Sequence, residues 1–317
     1  MHELIREHFG PSFGIEGFSD AAILDVDSRK LAFTTDSYVV SPLFFPGGNI
    51  GDLAVYGTVN DLSVSGAEPL FLSAGFIIEE GFSIERLKDI VLSMARAAKE
   101  AGVKIVAGDT KVVNKGKGDG VFINTAGIGV LHEGMEISPL RIRKGDKVLI
   151  NSEIGNHGIA VISERNGICF DPPVVSDTRP LNGIVRSIRE FGEDVHFMRD
   201  PTRGGLATTL KEAALESRKN IRIRETSLPI APQVKGACDL LGLDPLYVAN
   251  EGALVAFVSP GSAEAIVNSM RGHAHGTETR IIGEVEDSAE SMVLLQTRIG
   301  GNRIIEMLQG EQLPRIC

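Results

Sequence analysis

Apolar and polar positions first fall into a strand-like pattern at Ala22-Ile23-Leu24. Beyond a turn at Asp27-Ser28 it resumes over Leu31–Thr35, stops at Asp36 and leaves Tyr38-Val39-Val40 further on. Ahead of these, residues Glu3–Phe9 read as a short helix followed by a loop through Gly10-Pro11, Gly14 and Gly17. Asn49 has the short polar side chain of a helix N-cap, and the predicted helix runs from it to Gly66 and Pro69, with Asn60-Asp61 in its last turns. A second helix spans Ser83 to Gly102. Ile84, Leu87, Ile90, Val91, Met94, Ala95 and Ala98 recur there at helical spacing, with Glu85, Lys88, Asp89 and Lys99 on the other face. Strands follow at Val103–Ala107 and Val121–Val130, separated by Gly108-Asp109-Thr110-Lys111.

Between Gly134 and Gly145 apolar residues thin out, Pro139 interrupts and basic residues gather, which marks a domain boundary. After it, Val148-Leu149-Ile150 forms a strand leading through Gly155-Asn156-His157-Gly158 into a helix over Ile159–Glu164. Further helices are predicted near Leu181–Phe191, Gly204–Ser217, Pro232–Leu241 and Ala263–Met270. Strands are predicted at Ile221–Arg224, Ala253–Val258, Arg280–Val285 and Met292–Leu295. Neither half alternates strand and helix as a doubly wound sheet does, so the pattern predicts α+β domains with mixed or antiparallel sheets. The expected division is residues 1–140, residues 141–310 and a flexible tail, residues 311–317.

The 317 residues suit two domains, and 43% hydrophobic with 23% charged residues suits a globular chain. A net charge of −10 argues against nucleic acid, whose binding rests on basic contacts to phosphate. No apolar run approaches the roughly 20 residues of a membrane span, and the start lacks a signal-peptide layout, so a cytoplasmic protein is expected. Three widely spaced cysteines form neither a disulfide framework nor a zinc site. Cys238 falls among core positions. Phe44 and Phe45, in a loop bounded by Pro42, Pro46 and Gly47, fit either a subunit contact or the core.

Four carboxylates, Asp20, Asp36, Asp61 and Asp109, stand at or near the ends of apolar elements. Each alone reads as a turn former or cap; together they suit a hard cation such as Mg²⁺, with Lys111 placed to meet a phosphate oxygen. No Walker or dinucleotide-binding glycine motif is present. The run Arg199-Asp200-Pro201-Thr202-Arg203-Gly204-Gly205 is either a phosphate cradle at a helix N-terminus or an Asp-Pro turn. His157 and Glu251, each beside glycine, are acid–base candidates or ordinary turn residues. The chain ends on Leu313-Pro314-Arg315-Ile316-Cys317, which reads as a nucleophilic thiol on a tether: a carried substrate.

The order Thr34-Thr35-Asp36, Pro46–Gly51, Asn60-Asp61 with Ser65–Pro69, and Gly108–Lys111 resembles the aminoimidazole-ribotide-synthetase-like (PurM-like) superfamily of ATP-binding proteins. Asp200–Gly205 and Asn250-Glu251-Gly252 match its second domain, so the resemblance covers nearly the whole chain. Pro314-Arg315-Ile316-Cys317 narrows it to the carbamoyl dehydratases of NiFe-hydrogenase maturation. The resemblance implies a two-domain α+β subunit, a homodimer joined through the first domains, and ATP with Mg²⁺ in a cleft. It implies that a carbamoyltransferase, HypF, loads a carboxamide on Cys317, that ATP-dependent dehydration yields a thiocyanate, and that a HypC–HypD complex accepts the cyano group. It assigns catalysis to Cys317, Asp61, His157 and Glu251. ATP falls to Asp36, Asn60, Asp109, Thr110, Lys111, Asp200 and Thr202, and metal to Asp20, Asp36, Asp61 and Asp109. The other readings are a small-molecule kinase or synthetase of the same superfamily and a non-catalytic, nucleotide-gated adaptor. Two departures stand out: the family's His-Gly-x-Gly-Gly segment has no match, and its Asp-Asp pair is Ser19-Asp20 here.

Overall fold

A computed structural model describes residues 20–26, 29–287, 290–308, 310 and 313–317. The expected helix Glu3–Phe9, the glycine loop after it, Ser19 and the turn at Asp27-Ser28 lie outside the described residues. Asn49 caps the first described helix, α1 (Ile50–Val64), as its side chain predicts. Its Oδ1 accepts from Gly51 N at 2.8 Å while Asp52 accepts from the Asn49 amide at 3.0 Å, a reciprocal capping box. Every residue of α1 except Asp61 is buried. A helix apolar all round must be covered all round. α2 (Ile84–Ala101) lies on one side, a sheet on another, and the second half of the chain closes the rest.

That sheet has five strands among the described residues, in the order β1 (Ala22–Val26), β2 (Arg29–Tyr38), β7 (Val121–Leu131), β5 (Ala67–Glu79), β6 (Lys104–Val113). All its pairs are antiparallel except β5–β6. Its inner face packs on α1 through residues such as Tyr38, Leu72 and Ile123. The outer face is open and apolar, with Phe33, Phe71, Ile77 and Ile128 each about two-fifths exposed or more. β3 (Phe44–Phe45) and β4 (Gly48–Asn49) form a small ladder within the Pro42–Gly48 loop. There Phe45 is buried in the core, and Phe44 packs partly against it beneath Arg86.

The second half holds a seven-stranded sheet among the described residues. Its order is β14 (Asn302–Ile305), β13 (Val293–Gln296), β10 (Asn220–Arg224), β12 (Arg280–Glu286), β8 (Lys147–Ile150), β11 (Val255–Val258), β9 (Val195–Arg199). Only β10–β13 is parallel. Its helices are α3 (Asn156–Asn166), α4 (Asn182–Ser187), α5 (Gly205–Ser217), α6 (Pro232–Leu241) and α7 (Ala263–Arg271). The architecture is the two-domain α+β arrangement with mixed sheets that the pattern predicts. No described helix is long and apolar enough to cross a membrane.

Several elements differ from the sequence pattern. β5, which lies between β7 and β6 in the first sheet, was not predicted, and β6 runs straight through Gly108–Lys111 instead of ending at Ala107. Leu181–Phe191 is not one helix but α4 followed by a 3₁₀ segment. Ile84 and Val91 of α2 face solvent rather than the core. The tail does not hang free: Ile316 is buried, and Cys317 sits against the first half's core.

The tightness around α1 gives a stability test. A Cβ on Gly51 would stand 2.4 Å from the Ile90 carbonyl oxygen, a backbone atom that cannot swing away. Gly51→Ala is expected to destabilise the chain by about 1–3 kcal/mol, read as a lower urea midpoint. Gly102→Ala, where a Cβ meets nothing, is the comparison and costs only its positive φ.

Candidate active site

Three carboxylates from distant stretches converge where the two halves meet. Asp20 precedes β1, Asp61 is the one α1 residue only partly buried, and Asp200 follows β9. Their oxygens lie within 4.8 Å of one another. Thr34, inside β2, ties two of them together. Its hydroxyl is 2.9 Å from an Asp61 oxygen and 2.8 Å from the Asp20 carbonyl. Arg199, at the end of β9, bonds Asp20 at 3.2 Å and Glu212 of α5 at 2.7 Å.

Burial and like-charge crowding raise every member of this group. Asp20 is pushed up to about 7, chiefly by burial, with Arg199 opposing and Asp200, Glu212 and Asp36 adding. Burial pushes Asp200 up to about 6 against the pull of Arg199. Asp61 is driven well above the carboxylate range by burial and then by Asp200, Asp20 and Asp36. Asp36 stands at the rim, also raised, and its carboxylate accepts from Ser37 N at 2.8 Å. Three clustered carboxylates present hard oxygen donors, the ligand set Mg²⁺ takes.

Asp109 stands apart. The strand registers set Asp36 level with Thr125, Ala74 and Gly108, so Asp36 and Gly108 are three strand spacings, about 14 Å, apart. Asp109 is exposed on β6, paired with Lys111 at 2.8 Å, and held below its ordinary value by Lys111 and the Thr110 amide. Asp109 and Lys111 line a groove of about 420 Å³ with Ser37, Val39, Phe76 and Phe122.

The tail lies in the cleft of its own chain. Val39 N donates to the Cys317 oxygen at 3.0 Å and Ser41 N to the Arg315 carbonyl at 3.1 Å, a short antiparallel extension past β2. The Cys317 thiol has Arg203 at 3.8 Å. Burial, then Glu251, push the thiol up to about 12 despite Arg203. Glu251 is itself buried, and its Oε1 has no hydrogen-bond partner. Burial and then Asp200, Asp177 and Asp36 raise it well above its ordinary value.

The backbone around Glu251 is pinned. Asp177 accepts from the amides of Glu251 and Gly252 at 3.2 and 3.0 Å, and a Cβ on Gly252 would fall 1.9 Å from the Asp177 carbonyl oxygen. Asn60, expected among nucleotide contacts, uses its amide otherwise. It donates to the Glu251 and Arg179 carbonyls and accepts from Leu181 N, a stitch between the halves. His157, expected in a turn, opens α3 and is fully buried. Its Nε2 donates to the Ile316 carbonyl at 2.8 Å, and its Nδ1 accepts from Ser176 Oγ at 2.8 Å. Burial lowers its proton affinity, and both ring nitrogens are engaged, one by the tail and one by Ser176. Thr202 and Thr110 flank Asp200 and Asp109. Arg199, Glu212, Asp177 and Ser176 were not expected at the site. Arg199 and Arg203 stood in the polar glycine-rich run, a signal that was there to use.

The N-terminal domain profile of the AIR synthase related proteins matches residues 18–131, and the C-terminal domain profile matches residues 143–295. A carbamoyl dehydratase HypE from Bradyrhizobium diazoefficiens is 50% identical over 321 residues, covering 100% of this chain and 93% of that protein. The crystal structure of a HypE–HypF complex superposes with a TM-score of 0.92 at 50% identity, over 97% of this chain and 99% of that one. HypE in complex with ATP superposes at 0.88 with 46% identity, over 100% of this chain and 96% of that one.

The carboxylate cluster has a pH signature. Asp20 and Asp200 hold protons more tightly folded than unfolded, so their contribution to stability is full below about 3.8 and is lost as pH rises through about 6 to 7. In chelator-treated buffer, the unfolding midpoint should fall between about pH 5 and about pH 8. Asp61→Asn should flatten that fall and stabilise the chain by about 1–2 kcal/mol at the upper end, measured by urea titration.

Proposed function

This chain belongs to the AIR synthase related protein family, and within it to the HypE carbamoyl dehydratases of hydrogenase maturation, and we propose that it uses ATP to dehydrate a carboxamide carried on its own Cys317. The observation that carries the reading is the docked tail, whose thiol lies beside Arg203 and Glu251 within reach of the carboxylate cluster's field. A tethered substrate reaches such a site without a separate binding step.

The difficulty of the reaction is its leaving group, because amide oxygen departs poorly. In the proposed sequence the carboxamide oxygen attacks the γ-phosphorus of ATP, ADP leaves, and the oxygen now carries phosphate. Loss of one N–H proton gives an imidate; loss of the second, as the C–O bond breaks, gives S–C≡N and inorganic phosphate. Glu251 takes a proton in this reading. Its Oε1 is unpartnered and buried, and a carboxylate with raised proton affinity is the stronger acceptor. Arg203 offsets the charge that builds on the phosphorylated oxygen. Asp20, Asp61 and Asp200, with Asp36 at the rim, would hold Mg²⁺, which when bound neutralises phosphate charge. His157 orients the tail by its backbone.

ATP binding by this chain is supported by the relative solved with ATP. Asp109 and Lys111 would serve the nucleotide's phosphates from the groove on the open side of the sheet, with the Thr110 amide holding Asp109, and Thr202 with Asp200 would do so from the helix side. A second copy packed on the open apolar face would close that groove and make the homodimer. HypF, the partner in the relative's complex, would load the carboxamide, and a HypC–HypD complex would accept the cyano group.

Mass spectrometry of the C-terminal peptide tests the chemistry. After incubation with HypF and a carbamoyl donor the peptide should gain a carboxamide, and ATP should then remove one water. Cys317→Ala should give neither change; ATP-dependent turnover persisting in it would overturn the reading. Glu251→Gln should keep ATP binding and slow the loss of water by about 10²–10⁴-fold.

A further inference from the structure

We propose that Arg165 is a positioning residue that, with His157, grips the tail by its backbone, so that docking does not depend on what the Cys317 sulfur carries. The inference rests on the reading of Cys317 as the carried substrate.

His157 and Arg165 are eight residues apart on α3, so they share a face of the helix, with buried Val161 between them. Both reach consecutive carbonyls of the tail. His157 Nε2 donates to Ile316 O at 2.8 Å and Arg165 Nη2 to Arg315 O at 2.9 Å. Arg165 Nε also donates to the Ser41 carbonyl at 2.7 Å, so one guanidinium joins the second half, the first half and the tail. Across the groove, the Val39 and Ser41 amides donate to Cys317 and Arg315, and Arg315 Nε returns a bond to Val39 O at 3.0 Å.

None of these bonds involves the sulfur, which accepts only a long hydrogen bond from Arg203 among the described residues. The tail also adopts a conformation that needs holding. Arg315 has φ +53°, left-handed for a residue with a side chain, and its carbonyl accepts from both Ser41 and Arg165. That turn lets the next carbonyl meet His157 while Ile316 fills the core. A grip made through backbone atoms accepts thiol, carboxamide and thiocyanate alike, as a carrier that brings substrate in and takes product out requires.

Thiol labelling reads the grip directly and needs neither ATP nor a carbamoyl donor, so its failure is distinct from failure of the dehydratase reading. In Arg165→Gln, iodoacetamide should modify Cys317 about tenfold faster, the loss of one charge-assisted hydrogen bond, while exposed Cys169 reacts at an unchanged rate. Arg165→Lys, which keeps the charge but lacks the fixed planar fork that meets both carbonyls, should fall between and reads the same effect if glutamine unfolds the chain. Rates at Cys317 within about twofold of the parent in the folded variant overturn the proposal. Hydrogen exchange tests independence from cargo. The Val39 and Ser41 amides should stay protected in Cys317→Ala, and loss of that protection shows that the sulfur is needed and overturns it.

Discussion

Mutual repulsion among Asp20, Asp61 and Asp200 is the constraint on which the rest of this molecule depends. Carboxylates within 4.8 Å, taken partly out of water, do not stay together unless the backbone leaves them no choice. Here each is brought in by a separate element, and the elements come from both halves. The neighbouring contacts act as clamps against that repulsion. Arg199 spans Asp20 and Glu212, Asn60 bonds across to Glu251 and Leu181, and Asn182 donates to the Ala101 carbonyl at 2.7 Å. α1 supplies the rigid member: every other residue of it is buried, and Asp61 alone is only partly covered.

How much of this was legible in the sequence depended on how local the signal was. The Asn49 N-cap, the Ser83 cap and the Gly102 stop of α2 lie within a few residues of what they control, and they read correctly. β5 did not. Its apolar residues run nearly without alternation because a helix covers one face and the other is itself apolar, and Pro69 looked like a terminator. The strand absorbs that proline at a register shift between Pro69 and Phe71. Gly155 and Gly158 suggested a turn around His157, yet Gly158 is inside α3. A Cβ there would sit 2.4 Å from a Val248 methyl, so the glycine answers to packing rather than to chain reversal.

The site divides in the same way. Residue types such as Asp20, Asp61 and Glu251 announced themselves beside turns, but their convergence depends on contacts spanning most of the chain. Asp109 resembled the others in local context and lies about three strands away. Asp200 was grouped with a phosphate cradle and in fact joins the carboxylates. Asp177 gave no local sign, because its role is to accept two amides from a loop far along the sequence.

The docked thiol has a further consequence, in oxidative chemistry. Oxidation of cysteine to sulfenic acid proceeds through the thiolate. Burial and the neighbouring Glu251 push the docked thiol up to about 12, which holds it in its protonated, unreactive form at neutral pH. Docking therefore lowers the reactivity of this thiol toward peroxide. The groove that presents the sulfur for chemistry thus also shields it from oxidation while the tail is docked.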